Sequence, residues 1–92
     1  MTQAIPPKVQ MYSSSFCPFC MMASHLLRGK GVSVEMLMVD GDAGLRAQMR
    51  SRSGRTSVPQ IFIGDTHVGG CDDLQALDRA GKLDSLLAGE PA

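Results

Sequence analysis

Two cysteines stand three residues apart in Phe16-Cys17-Pro18-Phe19-Cys20, and a third stands alone at Cys71. Close thiols of this kind serve either redox exchange through a thiolate or half of a tetrahedral zinc site. For exchange, one sulfur must be held as the thiolate and the other must reach it. A helix opening at Cys17 meets both needs. Its free backbone N–H groups and dipole favour negative charge on the first sulfur. Cys20, on the same helical face, reaches that sulfur to close a disulfide or expel a bound thiol. Cys17 is then the nucleophile and Cys20 the resolving thiol. A zinc site would draw on Cys17, Cys20, Cys71 and either His25 or His67. Pro18 after the first cysteine and the lack of a second close ligand pair argue against it, so no metal is expected. His25 and His67 read as packed or exposed residues, and the seven Met residues as fillers of core gaps.

The chain that must position these thiols has 92 residues, 43% hydrophobic and 20% charged. That suffices for one domain over residues 1–92 with a single core. Nine Lys or Arg balance nine Asp or Glu, which removes the basic field that collects nucleic-acid phosphates. No apolar run approaches the roughly 20 residues of a bilayer span, and the first residues lack the charged head and apolar core of a signal peptide. A soluble cytoplasmic protein, without nucleic-acid or membrane partners, is the expectation. The odd, clustered cysteines also differ from the even, dispersed spacing of secreted disulfide scaffolds.

Hydrophobic periodicity supplies the elements. Lys8 to Tyr12 alternates as a half-buried strand, and Pro18 suits the first turn of a helix that runs to about Arg28 with Met22, Leu26 and Leu27 on its apolar face. Val32 to Met36 alternates again before the apolar run Leu37-Met38-Val39. Asp40 or Asp42 offers a cap to a second helix carrying Leu45 and Met49, which Gly54 ends. Gln60 to Ile63 and Thr66 to Val68 flank Gly64-Asp65, a hairpin turn. A last helix begins near Asp72 or Asp73, is interrupted at Gly81, and is followed by a final turn with Leu83, Leu86 and Leu87. The order β-α-β-α-β-β-α makes the first two strands parallel and the last two a hairpin. A four-stranded mixed sheet with helices on both faces is the economical α/β packing.

Three motifs, Cys17-Pro18-Phe19-Cys20, Thr56-Ser57-Val58-Pro59-Gln60-Ile61-Phe62-Ile63 and Gly69-Gly70-Cys71-Asp72-Asp73-Leu74, stand in the order and spacing of glutaredoxins. Over about residues 8 to 88 the chain resembles the class I dithiol members of that family. The resemblance implies a thioredoxin-like fold and a monomer. It also implies glutathione as cosubstrate with no tightly bound cofactor, and glutathionylated or disulfide-containing proteins as partners. By the same resemblance Pro59 follows a cis peptide bond, and the Val58 backbone pairs with the cysteinyl part of glutathione. The amides of Cys71 and Asp72 receive the γ-glutamyl carboxylate, and the Asp72 side chain takes the ammonium. Phe19 lies beside the glutathione sulfur and Arg46 near the glycyl carboxylate, while Ser57, Pro59 and Gly70 complete the site. One departure is Ser14, where the family commonly has Lys three residues before the nucleophile. The resemblance also admits a dedicated donor to a reductase such as ribonucleotide reductase, or an iron–sulfur scaffold sharing a cluster through Cys17 and glutathione. Pro18, which stiffens the active loop, favours the enzyme.

Overall fold

The computed structural model describes residues 7–89. Its elements are β1 (Val9–Ser13), α1 (Pro18–Gly29), β2 (Glu35–Met38), α2 (Ala43–Ser53), β3 (Gln60–Ile63), β4 (Thr66–Gly69), α3 (Cys71–Arg79) and α4 (Leu83–Leu87). The strands lie in the order β2-β1-β3-β4. β1 and β2 are parallel, as a helical crossover requires, and the other pairs are antiparallel.

Alternation along the strands sorts the apolar side chains into two cores. Val9, Met11, Ile61 and Ile63 point to one face, where Ala23 and Leu27 of α1, Leu74 of α3 and all three leucines of α4 cover them. Tyr12 and Phe62 point to the other, where they meet Met49 of α2. Helices therefore lie on both faces of a mixed sheet, and β1 stands inside it with its carboxyl end leading directly to Cys17.

Local chemistry fixes the ends of the elements. Pro18 occupies the first turn of α1, where a missing N–H removes no bond. Asp42, not Asp40, caps α2 by accepting from the Leu45 N–H at 3.0 Å, and Gly54 ends that helix in the left-handed conformation with φ 72°. β2 begins at Glu35 instead of Val32, although Val32 and Val34 still pack against the first core. α3 begins at Cys71, with Gly70 as its N-cap, one residue earlier than Asp72. The methionines divide: Met11 and Met49 are fully buried, whereas Met21, Met22 and Met38 are exposed. Met22 thus leaves the apolar face of α1 to Ala23 and Leu27, and Met1 lies outside the described residues.

Candidate active site

Cys17 is the N-cap of α1, with extended backbone angles, and its Sγ accepts the Cys20 N–H at 3.2 Å. That bond places the first sulfur against the open amide end of a 12-residue helix, where an anion is favoured. Cys20 sits one turn deeper and is only 2% exposed. Burial, then its contact with Cys17, pushes the Cys20 thiol above its ordinary value of 9.0. The pair is unequal by construction, one sulfur facing solvent and the other held back as a thiol.

Beside this pair runs an open groove formed by three separate segments, the start of α1, the loop before β3 and the start of α3. It brings together Phe19, Ser57, Val58, Pro59, Gly70, Cys71 and Asp72, which lie up to 53 positions apart in sequence. The Val58–Pro59 peptide bond is cis. Gly70 has no side chain with which to cap α3, so the amides of the first turn stay open toward the groove. Arg46 does not line it. It is exposed on α2, close enough to Asp40 to favour that carboxylate's charge.

Three further residues line the groove: Arg55, Gln60 and Asp73. Asp73 Oδ2 accepts from the Gly70 N–H at 2.9 Å and from Arg55 Nη1 at 3.1 Å, and those two bonds hold its carboxyl below the usual value. A Cβ on Gly69, whose φ is 113°, would run into the Asp73 carboxylate, so glycine is required there. Gln60 is fully buried. Its Nε2 donates to the Ser57 carbonyl at 3.1 Å while its Oε1 lies 2.8 Å from His67 Nε2. Gln60 and Asp73 lie within the quoted motifs and Arg55 directly precedes one, and that placement is the signal the sequence offers for them.

A glutaredoxin family profile matches residues 9–68. The glutaredoxin of Pseudomonas aeruginosa is 54% identical over 82 residues, covering 89% of this chain and 98% of the relative. The chain belongs to the glutaredoxin family. Glutaredoxin 3 of Escherichia coli (strain K12) is 56% identical over 79 residues, or 86% of this chain and 95% of that one. Among solved structures, the glutaredoxin of Brucella melitensis superposes with a TM-score of 0.81 at 48% identity, covering 95% and 96% of the two chains. A buckwheat glutaredoxin in complex with glutathione superposes equally well, with a TM-score of 0.81 at 27% identity over 94% of this chain and 83% of its own. Family and fold together make the protein a thiol–disulfide oxidoreductase with a thioredoxin-like architecture.

This glutaredoxin carries its own polar arrangement at Ser14. The Ser14 hydroxyl donates to Asp40 Oδ1 and the Ser15 N–H to Asp40 Oδ2, both at 2.6 Å, and these bonds lower the Asp40 carboxyl. The loop before Cys17 is thereby tied to the segment that follows β2. The third thiol of the glutaredoxin is buried: burial, then the charges of Asp72 and Cys17, raise Cys71 above 9.0 and keep it protonated at neutral pH. Among the described residues no three His, Cys, Asp or Glu side chains converge as a metal site would need, and no helix is long and apolar enough to cross a membrane.

Proposed function

We propose that this glutaredoxin is a glutathione-dependent oxidoreductase that removes glutathione from proteins and reduces protein disulfides, with residues 1–92 acting as one catalytic domain. The observation that carries this is the placement of Cys17, capping α1 with its sulfur on the Cys20 N–H, beside the groove lined by Phe19, Val58 and Asp72. The buckwheat relative, solved with glutathione, supports the same ligand here.

The Cys17 thiolate attacks the glutathionyl sulfur of a mixed disulfide. A bond forms between Cys17 and that sulfur, the original S–S bond breaks, and the protein leaves as a thiolate that takes a proton from solvent. A second glutathione then attacks the glutathionyl sulfur, releasing glutathione disulfide and restoring Cys17. On a protein disulfide Cys17 first forms a mixed disulfide with one substrate sulfur as the other leaves. Cys20 then attacks the Cys17 sulfur, the mixed disulfide breaks, and the substrate departs as its second thiolate. Two glutathiones reduce the Cys17–Cys20 disulfide, leaving as glutathione disulfide. Once Cys17 is in a disulfide it no longer carries charge, so two of the influences that keep Cys20 protonated vanish at the step where Cys20 must act. Phe19 flanks the glutathionyl sulfur, the Val58 backbone pairs with its peptide, and Ser57, Pro59 and Gly70 form the walls. The Cys71 and Asp72 amides at the start of α3 hold the γ-glutamyl carboxylate, and the Asp72 carboxylate holds the ammonium. Arg46, which stands on α2 and does not line the groove, acts on the glycyl end only at a distance, through its charge.

Turnover of a glutathionylated protein by the wild type, Cys17→Ser and Cys20→Ser tests the assignment. Cys17→Ser should lose all activity. Cys20→Ser should keep deglutathionylation and lose reduction of protein disulfides, because glutathione resolves only the first intermediate. Equal loss of deglutathionylation in both variants would overturn the two roles.

A further inference from the structure

A second groove opens on the other side of Cys17. The strand order places β3 and its loop on one flank of β1 and β2 on the opposite flank, so a residue that follows β1 stands between two surfaces. The flank toward β2 is lined by Phe16, Cys17, Met21, Met36, Met38 and Arg28. Met38 pairs in register with Ser13, the last residue of β1, and is 42% exposed, while Met21 is 69% exposed.

Phe16 is the unusual member. Its φ is 57°, the left-handed region that a bulky side chain adopts at a cost, and its ring is 100% exposed. An unfavourable backbone and a fully hydrated aromatic ring coincide at the residue next to the nucleophile. Neither contributes to folding, and the hydrated ring is relieved when an apolar group covers it.

We infer that the Phe16–Met21–Met38 surface docks the polypeptide half of the disulfide substrate, gripping a large apolar side chain beside its cysteine. The inference rests on the glutathione-dependent transfer proposed above, and the occupant follows from that reaction. A mixed disulfide has two halves joined at the sulfur that Cys17 attacks. Attack is in line, so the departing sulfur lies beyond the glutathionyl sulfur and away from Cys17. With glutathione filling the groove of Phe19, Val58 and Asp72, the flank left for the polypeptide on either side of that sulfur is the one over Phe16 and Met38. No carboxylate lines this second groove, and Arg28 stands in it, so an acidic residue further along the peptide is also accommodated. Methionines suit such a surface because their flexible, polarisable side chains repack around different partners.

The test uses three probes: glutathionylated cysteamine and two glutathionylated octapeptides, one with Leu on both sides of the cysteine and one with Ser. The wild type should turn over the Leu peptide with a kcat/KM about fivefold above the Ser peptide. Phe16→Asn, which tolerates the left-handed backbone, and Met38→Gln, which keeps the side-chain length, should each reduce that preference, and together abolish it. Both should leave turnover of glutathionylated cysteamine within about twofold of wild type. Equal turnover of the two peptides by the wild type would overturn the docking surface while leaving the transfer reaction standing. A parallel loss on all three probes in Phe16→Asn and Met38→Gln would overturn it as well, since the residues would then be shaping the loop of Cys17. No wild-type turnover of any probe would overturn both proposals. A wild-type dimer that Phe16→Asn splits, measured by sedimentation, would assign the surface to a second copy of the chain and overturn the peptide.

Discussion

His67 Nε2 lies 2.8 Å from Gln60 Oε1, and the amide so oriented donates at its other end to the Ser57 carbonyl at 3.1 Å. A hairpin histidine thereby reaches, through one buried side chain, the loop that carries Val58. Because Gln60 is fully buried, each of its polar atoms must find a partner, and the two it finds fix the loop's backbone from behind.

Gln60→Ala should therefore raise KM for a glutathionylated substrate several-fold with a smaller change in kcat, and cost about 1–3 kcal/mol of stability through the groups left unpaired. Gln60→Glu sets an acceptor against the Ser57 carbonyl and should be no better. His67→Gln, which restores a donor, should recover most of the KM lost in His67→Ala. Denaturant unfolding with initial rates checks all four variants.

His67 also has a pH signature. Burial, then the nearby charge of Arg55 and more weakly of Arg52, lowers it from 6.5 against the opposing pull of Asp73. The folded protein thus binds this proton less tightly than the unfolded chain. Above about pH 6.5 both forms are neutral and nothing changes. As pH falls through 6.5 the unfolded chain takes the proton first, and stability drops until the folded pKa is passed. His67→Gln should flatten that part of a stability-against-pH curve.

Ser14, where the family pattern has Lys, is engaged by Asp40 through one bond of 2.6 Å, and the Ser15 N–H holds the second oxygen of that carboxylate at 2.6 Å. An ammonium introduced there meets that carboxylate before it meets a substrate. Ser14→Lys alone should lower KM for a glutathionylated substrate less than twofold. Ser14→Lys with Asp40→Asn should lower it up to about fivefold at low salt, the equivalent of about 0.2–1 kcal/mol, with the gain shrinking as salt rises. Steady-state kinetics at two ionic strengths checks this.

Asp73 ties the Gly70 N–H to Arg55 across the groove's edge. Asp73→Ala should cost about 1 kcal/mol by leaving the Gly70 N–H at the start of α3 without its carboxylate partner. It should raise KM by freeing Arg55 and loosening Gly70. Since the Asp73 carboxyl is lowered from 3.8, its contribution to stability is complete above that value and is lost as pH falls through the folded pKa. The wild type should lose this stability in acid and Asp73→Ala should show no such loss.

Much of this was readable in the chain because the deciding signals are local. Cys17, Pro18 and Cys20 announce a helix start with two thiols on one turn, and alternation from Val9 to Tyr12 and from Gln60 to Ile63 assigns each strand residue a face. The start of α3 was less legible, because Asp72 and Asp73 are the side-chain caps the sequence offers and the cap is Gly70, which has no side chain. The Gln60–His67 contact is not local, because it depends on the register of β3 against β4, which shifts between Ile61 and Phe62, and a bulge leaves no trace in a two-residue period. The stacking of His67 on Phe62 at 4.8 Å, with Arg52 of α2 3.9 Å from the same ring, joins three elements that share no sequence pattern. The exposure of Met22 escaped for a related reason: Ala23, small and apolar, takes the buried place on α1 because the sheet lies close beneath it.

The most direct measurement is the site of glutathione transfer in Cys20→Ser treated with glutathione disulfide, read by intact mass and then by peptide mapping. The unequal thiols predict one glutathione per chain, attached to Cys17, with Cys71 unmodified because its thiol is buried and held protonated. An adduct on Cys71 in place of Cys17, or none on either, would contradict the account.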